Sequence, residues 1–128
     1  MGCVLDASAI LCLLFSETGA KTVEARLGEA MVSAVNYTEV LSKLIDRGLD
    51  PDEAIRDFAE LDMTIVPVSQ DDAEEAARLR MMTQHMGLSL GDRYCLALAK
   101  LRGVPAMTTD QAWKRIDTSA GIEIEFAR

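Results

Sequence analysis

Short apolar runs alternate with helical stretches along the chain, and that alternation leaves few folds open. The runs CVL (3–5), AMVSA (30–34), MTIVPV (63–68), PAMT (105–108) and IEIEF (122–126) have the length of strands, and most are nearly continuous in apolar character. Helical stretches lie between them: one through Phe15, one from about Gly19 to Leu27, NYTEVLSKLIDR closed by Gly48, and PDEAIRDFAELD with Pro51 in its first turn. SQDDAEEAARLRMMTQHM follows, closed by Gly87, then a helix over about 90–102 that stops at Gly103. Pro has no N–H to lose at a helix start, and Gly accepts the left-handed turn just past a helix end. Strands with no polar face are buried on both sides, which predicts a mostly parallel sheet covered by helices on each face. No linker, repeat or low-complexity segment interrupts the pattern, so one domain is expected over residues 1–128. In such sheets ligands bind at the carboxyl ends of the strands.

The helix SLGDRYCLALAK (89–100) poses a question. Leu96, Ala97, Leu98, Ala99 and Leu101 leave it little polar surface, yet an acid, Asp92, stands in its first turn. Ser89 and Asp92 fit a capping box, in which each side chain takes the other's backbone N–H. Asp92 is therefore either a cap partner or a working group.

Other acids fall at matching places. Asp6 ends the first strand, and Asp110 lies just past PAMT, so both project at the same edge of a parallel sheet. Ser8 and Thr108 stand two residues from them, which in extended chain is the same face. Glu39 is one turn into the helix after the second strand, on a stripe Asn36–Glu39–Lys43. Each acid alone reads as a cap or surface group. Four carboxylates gathered at one sheet edge repel one another unless a cation lies among them. All-oxygen ligation, with no suitable His or Cys, points to Mg²⁺ or Mn²⁺ rather than zinc. Such an ion also answers the net charge of −8, because an acidic protein can hold a phosphate through a metal.

The remaining features are bland. Apolar residues at 49% and charged residues at 27% describe a globular chain. Cys3, Cys12 and Cys95 read as buried reduced thiols, and His85 lies near a helix end, unsuited to a zinc site. MGCVLD lacks the Ser or Thr that myristoylation requires at position 6. ASAILCLLF is too short to span a bilayer, so a soluble cytoplasmic protein without a membrane partner is expected. Asp71, Asp72, Glu74 and Glu75 read as dipole complement and solvated face. Arg80-Met81-Met82 with Met86 reads as core filling or as a face toward a homodimer partner.

VLDASAIL, AVNYTEVLSKL, LSLGDRYCLALAK and AMTTDQAW, in that order and spacing, resemble the PIN-domain ribonucleases, and among them the VapC-type toxins of bacterial toxin–antitoxin pairs. The likeness covers nearly the whole chain, and LSLGDRYCLALA followed by T-x-D is its most specific part. The resemblance implies a three-layer α/β/α sandwich and a metal-dependent endoribonuclease. It implies that Asp6, Glu39, Asp92 and Asp110 surround Mg²⁺ or Mn²⁺, with Ser8, Asn36 and Thr108 orienting carboxylates or waters from behind. Arg93 would orient Asp92, bind a phosphate or pair with a surface acid. Leu96 stands where some relatives carry a further acid. Implied partners are an RNA substrate, transfer RNA among the candidates, an antitoxin that lays a helix into an apolar groove, and a second copy of the chain. AILCLLF (9–15) and the apolar face of 37–45 are candidate groove walls, or plain core.

Three other readings use the same residues. A receiver-like signalling domain also places Asp at strand ends, but MTIVPV is followed by Ser69 rather than the Asp such a domain needs. A catalytically silent PIN-like binding module is the alternative, and the presence of all four acids argues against it. The quartet itself does not distinguish RNA from single-stranded DNA.

Overall fold

A computed structural model describes residues 2–128; Met1, where the sequence reading starts its domain, lies outside the described residues. Five parallel strands form one sheet in the order β3-β2-β1-β4-β5, with β1 (Cys3–Leu5) at the centre. The others are β2 (Ala30–Ser33), β3 (Thr64–Val66), β4 (Ala106–Thr108) and β5 (Ile124–Phe126). The helices are α1 (Ala7–Leu14), α2 (Ala20–Glu24), α3 (Ala34–Asp46), α4 (Pro51–Ala59), α5 (Gln70–Thr83) and α6 (Leu90–Arg102).

Alternation along the strands divides the core in two. Cys3, Leu5, Ala30, Val32 and Met107 face one side and pack with α1, α3 and α4. Val4, Val66 and Ala106 face the other and pack with α5, α6 and Trp113. The result is the three-layer sandwich. The chain leaves β1 toward β2 on one side, and β4 returns on the other. The switch point of this sheet therefore lies between the carboxyl ends of β1 and β4, the place where parallel sheets open a crevice.

Several element ends differ from the sequence expectation. The stretch from Gly19 forms only α2 and then a short 3-10 turn at Leu27–Glu29. MTIVPV pairs only over Thr64–Val66, because Pro67 has no N–H to donate to the ladder. β3 is an edge strand, and Thr64 and Ile65 are exposed. The short helix carrying Trp113 is a 3-10 turn, Gln111–Arg115, which buries the only tryptophan of the chain.

The acids of α5 are not a uniform solvated face. Asp72 is buried in a capping box with Ser69. Glu75 is buried too, with Lys100 of α6 at 3.2 Å and Arg78 at 3.8 Å. A lysine on the neighbouring helix makes that burial tolerable. Core filling does not account for Met81, which is 83% exposed. In α6 five consecutive residues, Cys95 to Ala99, are buried, whereas Leu101 is exposed. The three cysteines are free and buried. Among the described residues no helix is long and apolar enough to cross a membrane.

Candidate active site at the carboxyl ends of β1 and β4

Asp6 is the residue at which β1 becomes α1. Its extended backbone makes it the N-cap, and Oδ1 accepts from the backbone N–H of Ala9 at 2.8 Å. The Ser8 hydroxyl donates to the same oxygen at 2.7 Å, and the Thr108 hydroxyl donates to Oδ2 at 2.5 Å. Each hydroxyl has one hydrogen. Both are spent on Asp6, so Ser8 and Thr108 meet the β4 loop as acceptors. Ser8 Oγ accepts from Thr109 N at 3.0 Å, and Thr108 Oγ1 accepts from Asp110 N at 3.0 Å. Asp6, Ser8, Thr108, Thr109 and Asp110, from two chain segments, thus form one bonded unit across the switch point.

Burial dominates the electrostatics of Asp6. It raises the carboxyl pKa to about 6, against the three hydrogen bonds, which lower it; the Asp92 charge raises it further. Cys95 lies on α6 beneath this region. Its thiol is pushed well above the usual range, first by burial and then by the charges of Asp6, Asp92 and Glu39. The charges of three acids from three elements therefore act on one buried thiol.

Glu39 is set by its neighbours. Asn36 Nδ2 donates to Glu39 Oε1 at 2.8 Å and to the backbone carbonyl of Gly91 at 3.1 Å, tying α3 to the start of α6. A Cβ on Gly91 would stand 2.2 Å from Glu39 Oε1 and 2.6 Å from Oε2. Glu39 can rest against α6 only because position 91 has no side chain. The sequence reading did not single out Gly91. The available signal was a glycine in the first turn of a helix, where it costs about 1 kcal/mol relative to Ala.

Asp92 forms the capping box: its Oδ2 accepts from Ser89 N at 2.9 Å, and Ser89 Oγ accepts from Asp92 N at 3.1 Å. Asp110 stands at the rim. It is exposed, and its Oδ1 caps the 3-10 turn by accepting from Ala112 N at 2.9 Å. Arg93 forms no ion pair with an acid among the described residues. Its guanidinium donates to the Ala76 carbonyl at 3.2 Å and so ties α6 to α5. Leu96 is fully buried.

Among the described residues no three His, Cys, Asp or Glu side chains are spaced as a metal-ligand set. The physical reason is local: each carboxylate is turned to an amide or hydroxyl of its own neighbourhood. The donor chemistry nevertheless fits a hard divalent cation. Every candidate ligand is an oxygen. Asp92 Oδ1 and Asp110 Oδ2 carry no hydrogen bond in the network described. The Asn36 Oδ1 atom, one turn from Glu39, is buried with no partner, and such an oxygen calls for a water or cation.

Residues 3–119 match the family model for the PIN domain. No curated protein matches the chain. Solved structures with the same fold include a toxin–antitoxin complex from Klebsiella pneumoniae (21% identity, TM-score 0.74, covering 99% of this chain and 98% of that one). A DNA-bound VapBC from Salmonella typhimurium gives 16% identity and a TM-score of 0.76 over 100% of this chain and 99% of that one. A VapBC from nontypeable Haemophilus influenzae gives 15% and 0.74 over 99% and 98%.

Proposed function

This chain belongs to the PIN domain family, and from that premise we propose that it is a metal-dependent endoribonuclease, the toxin of a toxin–antitoxin pair, working as one domain over residues 1–128. The observation that carries the reading is that the charges of Asp6, Glu39 and Asp92 all act on the Cys95 thiol, with Asp6 held in burial at the switch point by Ser8 and Thr108. A buried acid without a cation partner is costly to stability; its retention between two strand ends is what a working site requires.

Asp6, Glu39, Asp92 and Asp110 would hold Mg²⁺ or Mn²⁺. Bound there, the ion would polarise a phosphate and lower the pKa of a water. The chain's own residues prepare that chemistry. Ser8 and Thr108 fix both oxygens of Asp6, Asn36 fixes Glu39, and the capping box fixes Asp92 on a rigid helix start. In the proposed reaction a water oxygen bonds to phosphorus in line with the departing 3′ oxygen. The bond from phosphorus to that oxygen breaks, a proton passes to it, and 5′-phosphate and 3′-hydroxyl ends result.

The similar structures support a protein partner, since those proteins are described as toxin–antitoxin or VapBC complexes. A cognate antitoxin, a cytoplasmic setting, a homodimer using the exposed Met81 side of α5, and a structured target such as transfer RNA belong to the same proposal.

The test is cleavage of total cellular RNA by the purified chain with Mn²⁺, with Mg²⁺ and with EDTA, beside Asp92→Asn. Discrete metal-dependent products that vanish in the variant are expected. No product with either metal would overturn the nuclease in favour of a binding module.

A further inference from the structure

We propose that the cleft beside Ser8 seats the single-stranded RNA flanking the scissile phosphate, with Lys43 and Arg47 as its phosphate contacts. The proposal rests on the nuclease reading above. The face of α3 that carries Glu39 continues at four-residue spacing to Lys43 and Arg47. At the helical rise these two lie about 6 and 12 Å along the axis beyond the acid. A cleft of about 430 Å³ opens at the same place. Ser8 and Thr109 form one wall, and Leu11, Phe15, Lys43 and Arg47 are among the other lining residues. The Ser8 hydroxyl donates to Asp6 and accepts from Thr109 N, so that wall belongs to the acid site itself.

The charges in the cleft differ in kind. Arg128 is held by Glu17 at 3.3 Å, and Asp46 adds a second acid to the lining. Lys43 and Arg47 are exposed, and among the described residues no ion pair engages either. Arg47 lies over the Phe15 ring, 4.3 Å from its centroid. A guanidinium stacked on a ring can still offer its N–H groups to an anion. A polyanion approaching a chain of net charge −8 needs cations at its landing point, and two unpaired ones stand one and two turns from Glu39. Leu11 and Phe15 supply apolar surface for bases, which stack on aromatic and guanidinium planes. The last-turn position also lets Lys43 complement the helix dipole, but that role alone carries no dependence on RNA.

The experiment measures binding of a single-stranded RNA oligonucleotide by fluorescence anisotropy as KCl is varied at fixed Mn²⁺. Asp92→Asn is the non-cleaving parent, and Lys43→Ala, Arg47→Ala and Arg78→Ala are added to it. Arg78 is exposed on α5, across the sheet. Each phosphate contact on a single strand contributes about −0.7 to the slope of log K against log salt. Lys43→Ala and Arg47→Ala are each expected to weaken binding several-fold and flatten the slope by about that amount, whereas Arg78→Ala keeps the parent slope. Unchanged slopes in both cleft variants would overturn the proposal, as would equal flattening by Arg78→Ala. Cleavage by the unmutated chain is followed separately, so a failure of the nuclease reading is not confused with a failure of the cleft.

Discussion

The Thr108 hydroxyl donates to Asp6 across 102 residues of sequence and joins the ends of the two strands that flank the switch point. That bond holds an acid that burial disfavours, and it ties the site's chemistry to the stability of the fold.

The pH dependence follows in sign from the raised Asp6 pKa. The folded-state value of about 6 lies above the ordinary 3.8 of an aspartate, so the folded protein binds the extra proton between them. Stability linked to Asp6 is fully present below about pH 4 and is lost as pH rises through about 6. Asp6→Asn should therefore raise stability at pH 7.5 in EDTA, by up to about 3 kcal/mol, while abolishing cleavage. The gain should vanish near pH 4. Urea melts at the two pH values check this; an Asn variant less stable at pH 7.5 would contradict it.

Divalent metal should reverse that balance in the parent chain. An ion bound only by the folded state stabilises it by about 2.7 kcal/mol at a hundredfold excess over Kd. Mn²⁺ is expected to raise Tm by several degrees and EDTA to remove the increase. Asp6→Asn and Asp92→Asn should show little of it. Calorimetric scans with and without metal decide; equal shifts in all three proteins would point to binding elsewhere.

Gly91→Ala should separate helix propensity from site geometry. Alanine favours a helix by about 1 kcal/mol over glycine, so stability should hold or rise. The new methyl would collide with the Glu39 carboxylate. Cleavage should fall at least about tenfold, a loss of roughly 1.4 kcal/mol in transition-state stabilisation. Tm and cleavage rate measured together test it, and full activity would show that Glu39 is free to sit elsewhere.

Ser89→Ala and Asp92→Asn should part company although they share one capping box. Loss of the Ser89 cap is expected to cost about 0.5–2 kcal/mol of stability with cleavage retained. Asp92→Asn should lose cleavage instead. Parallel behaviour in denaturant melts and RNA assays would reduce Asp92 to a cap.

The sheet and most helix ends were legible because their signals are local. Gly87 and Gly103 both take positive φ, 66° in each case, where the sequence placed the stops. The acids were legible because strand-end and helix-start positions can be read one at a time. What stayed hidden depends on partners supplied by distant chain. Glu75 looked solvated until Lys100 came over it from α6. The bond from Arg93 to the Ala76 carbonyl exists only because α5 lies beside α6. Gly91 is an ordinary helical residue except that α3 brings a carboxylate against it. The apolar content of MTIVPV hid a strand whose outer residues face solvent at the sheet edge.

Trp113 gives the molecule a built-in optical probe. It is the sole indole of the chain, it is buried in the core beneath β4, and it sits on the turn that Asp110 caps. Its emission therefore comes from one environment. The Trp113 backbone N–H donates to the Asp110 carbonyl at 3.1 Å, so a ligand held by Asp110 is expected to alter that emission, and refolding can be followed by intrinsic fluorescence without any label.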